Sequence, residues 1–308
     1  MIELMFEGGL GNQLFQYSFG RYLQKLWNED VVYDISKYAF EKIEIRQFEL
    51  KSFNIDKSWK KAPLISGRWK RFGCKYIIYL PLTYIYVKIN RWRITHGKEA
   101  KYNIVYQKCI NALGFYRIHY GPYMLLGKSK VQKKIIRGQW FWRDIVLQQG
   151  EKLKKELNIT DPVSDKNQRI LEQIEKTQSI GVHIRRGDYI QCGLIMCDTS
   201  YYERCMDKMV NLVEDAVFFI FSDDIEWVCQ QFGSKENIVY VNNHNTAVED
   251  MRLFYSCKHF ILSNSTFSWW GAYLGQYGDK KVICPEIWEK GGKRSSLILD
   301  EWIVECNI

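Results

Sequence analysis

Short apolar runs without polar interruption alternate with amphipathic stretches through the second half of this chain. The runs are 180–184, 217–221, 238–241, 259–262 and 281–284, and between them 201–213, 225–232, 246–256 and 266–277 place their apolar residues at helical spacing. Unbroken runs predict strands buried on both faces, the habit of a parallel sheet, and the amphipathic stretches predict the helices that cover it. Such a Rossmann-like sheet binds ligands beyond the carboxyl ends of its strands. Arg185, Asp223 and Ser263 each stand just past one predicted strand.

The first half opens with a strand at 2–6, a glycine-rich turn, a helix from about 13 to 27 and a strand at 31–33. This is the βαβ start of a doubly wound sheet. From 40 to 138 no period is sustained, and a mixture of helices and loops is expected. Charged helical stretches at 152–157 and 167–176 flank Asp161-Pro162, a break that separates a domain 1–160 from a domain 161–308. With 308 residues, 46% of them hydrophobic, the chain has material for a core in each. The eleven tryptophans, twenty tyrosines and sixteen phenylalanines are first of all that core.

Charge narrows the partners without choosing among them. Forty-four basic against 35 acidic residues give +9, which favours anions: a nucleotide, nucleic acid or an anionic membrane. Nucleic acid is disfavoured, because net charge alone supports it and the strand ends are acidic and serine-rich. Lys57, Lys60, Lys61, Arg68, Lys70, Arg71 and Lys75 interleave with Trp59, Trp69 and Phe72, and a largely apolar run follows at 76–89. That segment suits either peripheral contact with an anionic membrane or a solvated basic face beside a buried element. Pro81 and Lys88 interrupt the run, which is too short to cross a bilayer. The amino terminus reads as a strand and lacks the features of a signal peptide, so a cytoplasmic protein is expected, peripheral on the membrane at most. Nine scattered cysteines, Cys205, Cys229, Cys257 and Cys284 among them in apolar segments, read as reduced buried thiols. Cys192 and Cys197 are close but lack the further ligands of a zinc set, and there is no Asp-x-Asp to hold a divalent ion against a diphosphate. No metal and no cofactor are expected.

Cationic side chains must then meet any phosphate. Arg185 and Arg186 follow the strand at 180–184, and an arginine fork fits two phosphate oxygens at once. Alternation along a strand sends one of the pair into a site while the other ties down the turn; Arg185 is the expected phosphate ligand, with pairing to Asp188 as the competing role. Ser263-Asn264-Ser265-Thr266 lies between a strand and a helix, where hydroxyls and first-turn N–H groups cradle phosphate oxygens or simply cap the helix. Asp223 and Asp224 end another strand, placed to accept from a ribose or a base, or to cap. Asp250, on the helix before His259, is a further candidate, with a surface ion pair as its alternative. Near the start, Gly9-x-Gly11 follows a strand and precedes a helix, but Leu14 stands where a dinucleotide fold needs its third glycine, which disfavours an oxidoreductase.

Three segments carry a resemblance. Gly8-Gly9-Leu10-Gly11-Asn12-Gln13-Leu14-Phe15-Gln16-Tyr17, then 183–189 (His-Ile-Arg-Arg-Gly-Asp-Tyr), then 263–273 (Ser-Asn-Ser-Thr-Phe-Ser-Trp-Trp-Gly-Ala-Tyr) resemble, in order, the bacterial α-1,2-fucosyltransferases. His-x-Arg-Arg-x-Asp by itself also marks α-1,6- and protein O-fucosyltransferases. The resemblance implies a GT-B fold of two Rossmann-like domains with a cleft between them, the first binding the acceptor and the second GDP-fucose. It implies inverting transfer of L-fucose to the 2-hydroxyl of a terminal galactose on a surface polysaccharide or oligosaccharide, without metal. It also places His183 beside the base, one of Asp223 and Asp224 on the nucleoside, and the loop carrying Gly11, Asn12 and Gln13 toward the donor sugar. His183 and Asp188 are the candidates for removing the acceptor proton, with Asn12 positioning; neighbouring arginines count against Asp188 as a base unless burial opposes them. The competing reading within this class is another GDP-sugar transferase of different linkage or acceptor.

Overall fold

A computed structural model describes residues 1–40, 46–64, 73–98, 100–101, 103–117, 127–194, 197–288, 292 and 294–307. The chain divides into two compact units, Met1–Lys51 with Ile55–Leu153, and Ser52–Asn54 with Lys154–Ile308. Each has its own parallel sheet.

The first unit contains β1 (Ile2–Met5), α1 (Leu10–Trp27), β2 (Val31–Asp34), α2 (Ser36–Phe40), β3 (Lys60–Lys61), α3 (Lys75–Thr95), α4 (Ile104–Ala112), β4 (Phe115–Arg117) and β5 (Lys134–Arg137), and α5 (Arg143–Glu156) leads out of it. Its strands lie in the order β3-β2-β1-β5-β4, all parallel. The order reverses between β1 and β5, so the loop after β1 opens at a switch point. Gly9, in extended conformation, is the N-cap of α1, which starts three residues earlier than the spacing predicts. Trp59 does not face a membrane as the basic-aromatic pattern allowed. It is buried against Tyr17, its Nε1 donating to Gln24 Oε1 at 2.8 Å. Lys57, Lys60, Lys61 and Lys75 are exposed, while Arg68, Trp69, Lys70, Arg71 and Phe72 lie outside the described residues.

The second unit continues with α6 (Asp165–Lys176), β6 (Gln178–Ile184), α7 (Gly187–Cys192), α8 (Thr199–Leu212), β7 (Ala216–Ser222), α9 (Ile225–Phe232), β8 (Ile238–Tyr240), α10 (Ala247–Ser256), β9 (His259–Ile261), α11 (Thr266–Leu274), β10 (Val282–Pro285) and β11 (Ile303–Glu305). Its order is β11-β10-β9-β6-β7-β8, again all parallel. Ile180, Val182, Phe218, Ile220, Ile261 and Ile283 form its buried centre with Tyr201, Cys205 and Met209 of α8. Cys257 and Cys284 are buried free thiols as well, and Cys229 is half-buried. The chain winds outward from β6 through β7 to β8 and then returns to β9 on the other side. Sheets of this kind open a crevice at that reversal. It falls between β6, which ends just before Arg185, and β9, which ends just before Ser263.

Among the described residues, no helix is long and apolar enough to cross a membrane.

Candidate active site

Beyond β6, β7 and β9 the sequence candidates form two neighbouring hydrogen-bonded groups, one around Arg185 and one of His183 with Ser263, close enough for Arg185 to act on His183. Arg185 holds two carboxylates: Nη2 donates to Asp188 Oδ1 at 2.6 Å and Nη1 lies 2.8 Å from Asp223 Oδ2. Asp223 also accepts from the backbone N–H of Arg186 at 2.9 Å, so one carboxylate braces the end of β7 to the turn after β6. Gly187 makes this approach possible, since a Cβ there would lie 2.4 Å from Asp223 Oδ2. Arg186, past the end of β6 and at the N-cap of α7, holds a different carboxylate. Its Nε donates to Asp224 Oδ2 at 3.1 Å and its guanidinium lies 3.3 Å from the centre of the Trp227 ring. Of the two arginines, Arg185 is therefore the one directed at the group beside His183, and Arg186 fastens the turn. Asp224 makes no side-chain cap to α9. Trp227 was not anticipated, although its place in the first turn of α9, directly after Asp223-Asp224, is a readable signal.

His183 closes the other side. It is 6% exposed, its Nδ1 is 2.9 Å from Ser263 Oγ, and its ring stacks on Phe267 at 4.8 Å. Burial, with Arg185 nearby, pushes its pKa down to about 3. The imidazole is thus neutral at physiological pH and a poor proton acceptor, which counts against the base role expected for it. Ser263 passes the contact to Ser268 Oγ at 3.2 Å. Ser265 caps α11 by accepting from Phe267 N at 3.3 Å, and Thr266 opens the helix. Asn264 is corrected: it is buried, and its Nδ2 donates to the carbonyls of Leu194 at 2.9 Å and Trp288 at 3.1 Å, which fixes the loop and leaves no side-chain donor for a phosphate. Tyr189 adds a link, with its hydroxyl 3.3 Å from Asn264 O.

Asp250 belongs to a different cluster. Among the described residues no ion pair holds it; its Oδ1 accepts from Asn245 Nδ2 at 2.9 Å, and Asn245 in turn accepts from Asn167 Nδ2. Burial raises its pKa from 3.8 to about 6, although the Asn245 bond opposes the shift. Between about pH 4 and 6 the unfolded chain gives up this proton while the folded chain keeps it. Stability attributable to Asp250 therefore falls as pH rises through that window and stays reduced above it. Asp250→Asn is expected to match the parent near pH 4 and to exceed it by about 1–3 kcal/mol above pH 6, read from urea midpoints across pH. An offset that does not change with pH would contradict this.

In the first unit Gly8 has φ +81, and a Cβ there would meet Asn12 Nδ2 at 2.5 Å, so glycine lets the loop close over the start of α1. Gly11 is buried in the first turn and Asn12 is half-buried. Gln13 is corrected. It is fully buried, donates to the carbonyls of Gly8 at 3.0 Å and Gln47 at 2.9 Å, and accepts from Glu49 N at 2.9 Å. It holds the loop rather than a sugar. Residues of α3, β1, β4 and β5 line a cavity of about 390 Å³, among them Tyr76, Tyr79, Thr83, Tyr84, Lys88, Arg91, Phe115, Arg117, Ile135 and Arg137. No local pattern marks its lining residues, because α3, β4 and β5 bring distant segments together. Arg137 Nε donates to Glu7 Oε2 at 3.0 Å. Burial acts to raise the Glu7 pKa, but Arg137 and Lys37 outweigh it and hold the carboxylate below its usual range. Among the described residues no cluster of three or more His, Cys, Asp or Glu is placed to hold a metal ion.

Comparison with known proteins fits this geometry. The pattern of Glycosyl transferase family 11 matches residues 132–305. The O-antigen biosynthesis glycosyltransferase WbnK of Escherichia coli is 30% identical over 96% of this chain and 97% of its own length. An alpha-1,2-colitosyltransferase of Escherichia coli is 29% identical over 91% of this chain and 90% of its own. In fold the chain resembles the α-1,6-fucosyltransferase NodZ of Bradyrhizobium, co-crystallised with GDP, with a TM-score of 0.53 over 89% of this chain and 91% of that one at 12% identity. The two parallel-sheet units are those of a GT-B glycosyltransferase, and the chain belongs to glycosyl transferase family 11, the family of the α-1,2-fucosyltransferases.

Proposed function

We propose that this glycosyltransferase moves L-fucose from GDP-fucose to the 2-hydroxyl of a terminal galactose, giving an α-1,2 linkage on a surface polysaccharide or oligosaccharide. The observation that carries the reading is the convergence of Arg185, His183 and Ser263 at the switch point of the second sheet. The O-antigen name of one relative supports the class of product, and the GDP bound to the fold relative supports the donor. In this reading residues 161–308 bind the donor and 1–160 the acceptor.

The chemistry asks for charge control. The acceptor oxygen forms its bond to the anomeric carbon and loses its proton, while the bond from that carbon to the β-phosphate breaks and its electron pair leaves with GDP. Arg185 exchanges part of its contact with Asp188 and Asp223 for the diphosphate and stabilises the charge that grows there. The amino end of α11, with Ser265 and Thr266, adds N–H dipoles of the same sign. Asp223, released from Arg185, still accepts from the Arg186 amide and offers its second oxygen to the nucleoside. His183 stays neutral, and Asp188, 43% exposed and held by Arg185, can take the acceptor proton only once the diphosphate has drawn Arg185 away from it. The reaction runs without metal. The cavity of the first unit, with tyrosines for stacking on sugar faces and cations at its wall, holds the acceptor.

Binding tests the donor half. GDP at a hundred times its Kd is expected to stabilise the protein by about 2.7 kcal/mol, visible as a rise in Tm, with ADP giving little. Equal shifts from both would remove the guanine preference. A second reading is favoured by the colitosyl relative: the same α-1,2 geometry with a different deoxysugar on GDP. The ratio of kcat/KM for GDP-fucose and GDP-colitose separates the two.

A further inference from the structure

We propose that α3 seats the first unit on the anionic surface of a lipid bilayer. The helix has two unlike faces. Tyr76, Tyr79, Tyr86 and Asn90 are buried against the unit. The opposite face leaves Ile77, Ile78, Tyr84, Ile85, Ile89 and Trp92 each more than half exposed, from 53% to 63%. Among the described residues no other helix exposes more than two large apolar side chains. Twenty-one residues of α-helix extend about 30 Å, so the face is a long stripe rather than a spot, and water contact over it is unfavourable.

Charge selects what covers the stripe. From Lys75 to Thr95 the helix contains no acidic residue and four basic ones, Lys75, Lys88, Arg91 and Arg93. The neighbouring α4, with Val105 65% exposed, has no acidic residue either. A second copy of the chain meeting this face through a twofold axis would oppose cation to cation. Lipid headgroups carrying phosphate match it, with isoleucines entering the acyl boundary and Trp92 and Tyr84 at the level where amphipathic rings settle. The helix is not apolar enough to span, so it lies in the interface. Tyr84, Lys88 and Arg91 also line the cavity of the first unit, whereas Ile85 and Trp92 do not, and the contact with lipid is measured without donor or acceptor.

The test is co-sedimentation of the full chain with phosphatidylcholine vesicles that contain or lack phosphatidylglycerol. Binding is expected to the anionic vesicles, weakened by salt, and reduced roughly tenfold or more in a variant carrying Ile85→Glu and Trp92→Glu. Both side chains are exposed and outside the proposed sites, so the variant should keep its circular dichroism and its GDP-induced Tm rise, which shows that the fold and donor site survive. No sedimentation with anionic vesicles, or equal sedimentation of parent and variant, would overturn the proposal. So would a dimer detected by light scattering that the two substitutions dissociate, because it would give the face to a second copy.

Discussion

Arg185→Ala is expected to lower kcat by about 10²–10³-fold with the fold unchanged. The arginine is the cation on which two strand ends converge, within 2.8 Å of carboxylates from the turn after β6 and from the end of β7. Charge on the departing diphosphate is larger in the transition state than in the bound donor. Its loss should therefore reduce kcat more than it raises the donor KM. Stability is a separate matter. Arg185 and Asp223 are each 25% exposed and Asp188 is 43% exposed, so water screens the carboxylates left behind and the pairs contribute on the order of 1 kcal/mol or less. Arg185→Lys keeps the charge without the fork that reaches both partners, and partial recovery is expected. Steady-state kinetics beside a urea titration check both halves; a near-normal rate in Arg185→Ala would remove the phosphate role.

Phe254→Ala should produce the largest loss of stability, about 3–5 kcal/mol. The ring is fully buried on α10 and fills the space that two glycines leave. A Cβ on Gly271 would lie 2.1 Å from its Cδ1, and one on Gly181 2.9 Å from its Cδ2. Phe221, Phe260 and His183 meet it edge-on at 5.3, 5.4 and 5.9 Å. Removing the ring leaves a cavity under β6 and takes a wall from His183. Gly271→Ala alone should also destabilise, by about 1–3 kcal/mol, even though alanine favours a helix over glycine by about 1 kcal/mol. Combined with Phe254→Ala it should instead recover part of the loss. Additive losses from urea midpoints would show that the ring and the glycines do not share one volume.

What could be read in advance follows from how local each signal is. The second sheet was legible because its strands are unbroken apolar runs, and 225–232 is a helix with the very bounds its spacing predicts. Its last strand, β11, is three residues only partly buried and gave no run to read. In the first unit β3 has two residues, both exposed lysines, and becomes a strand only because β2 offers it hydrogen bonds. Parallel pairing to β1 likewise makes β5 out of Lys134–Arg137. In the second unit, Arg185, Asp223 and Ser263 are legible from their positions after strands, whereas His183, inside β6, enters only through the resemblance. Whether a polar side chain faces a ligand or its own backbone was not legible, as Gln13 and Asn264 show: both sit in glycine- or serine-rich loops, and both are committed to carbonyls from distant segments. His183 carries the same lesson. A histidine at a strand end reads as an acid–base group until burial is known, and burial here keeps it neutral.

The central claim is α-1,2 transfer from GDP-fucose without metal. It is tested most directly by incubating the protein with GDP-fucose and a β-galactoside such as lactose in excess EDTA, and reading the product linkage by NMR. The account predicts fucose α-linked to the galactose 2-oxygen, formed at a rate that added magnesium does not raise. Transfer to another hydroxyl, or transfer that stops in EDTA and returns with magnesium, would contradict it.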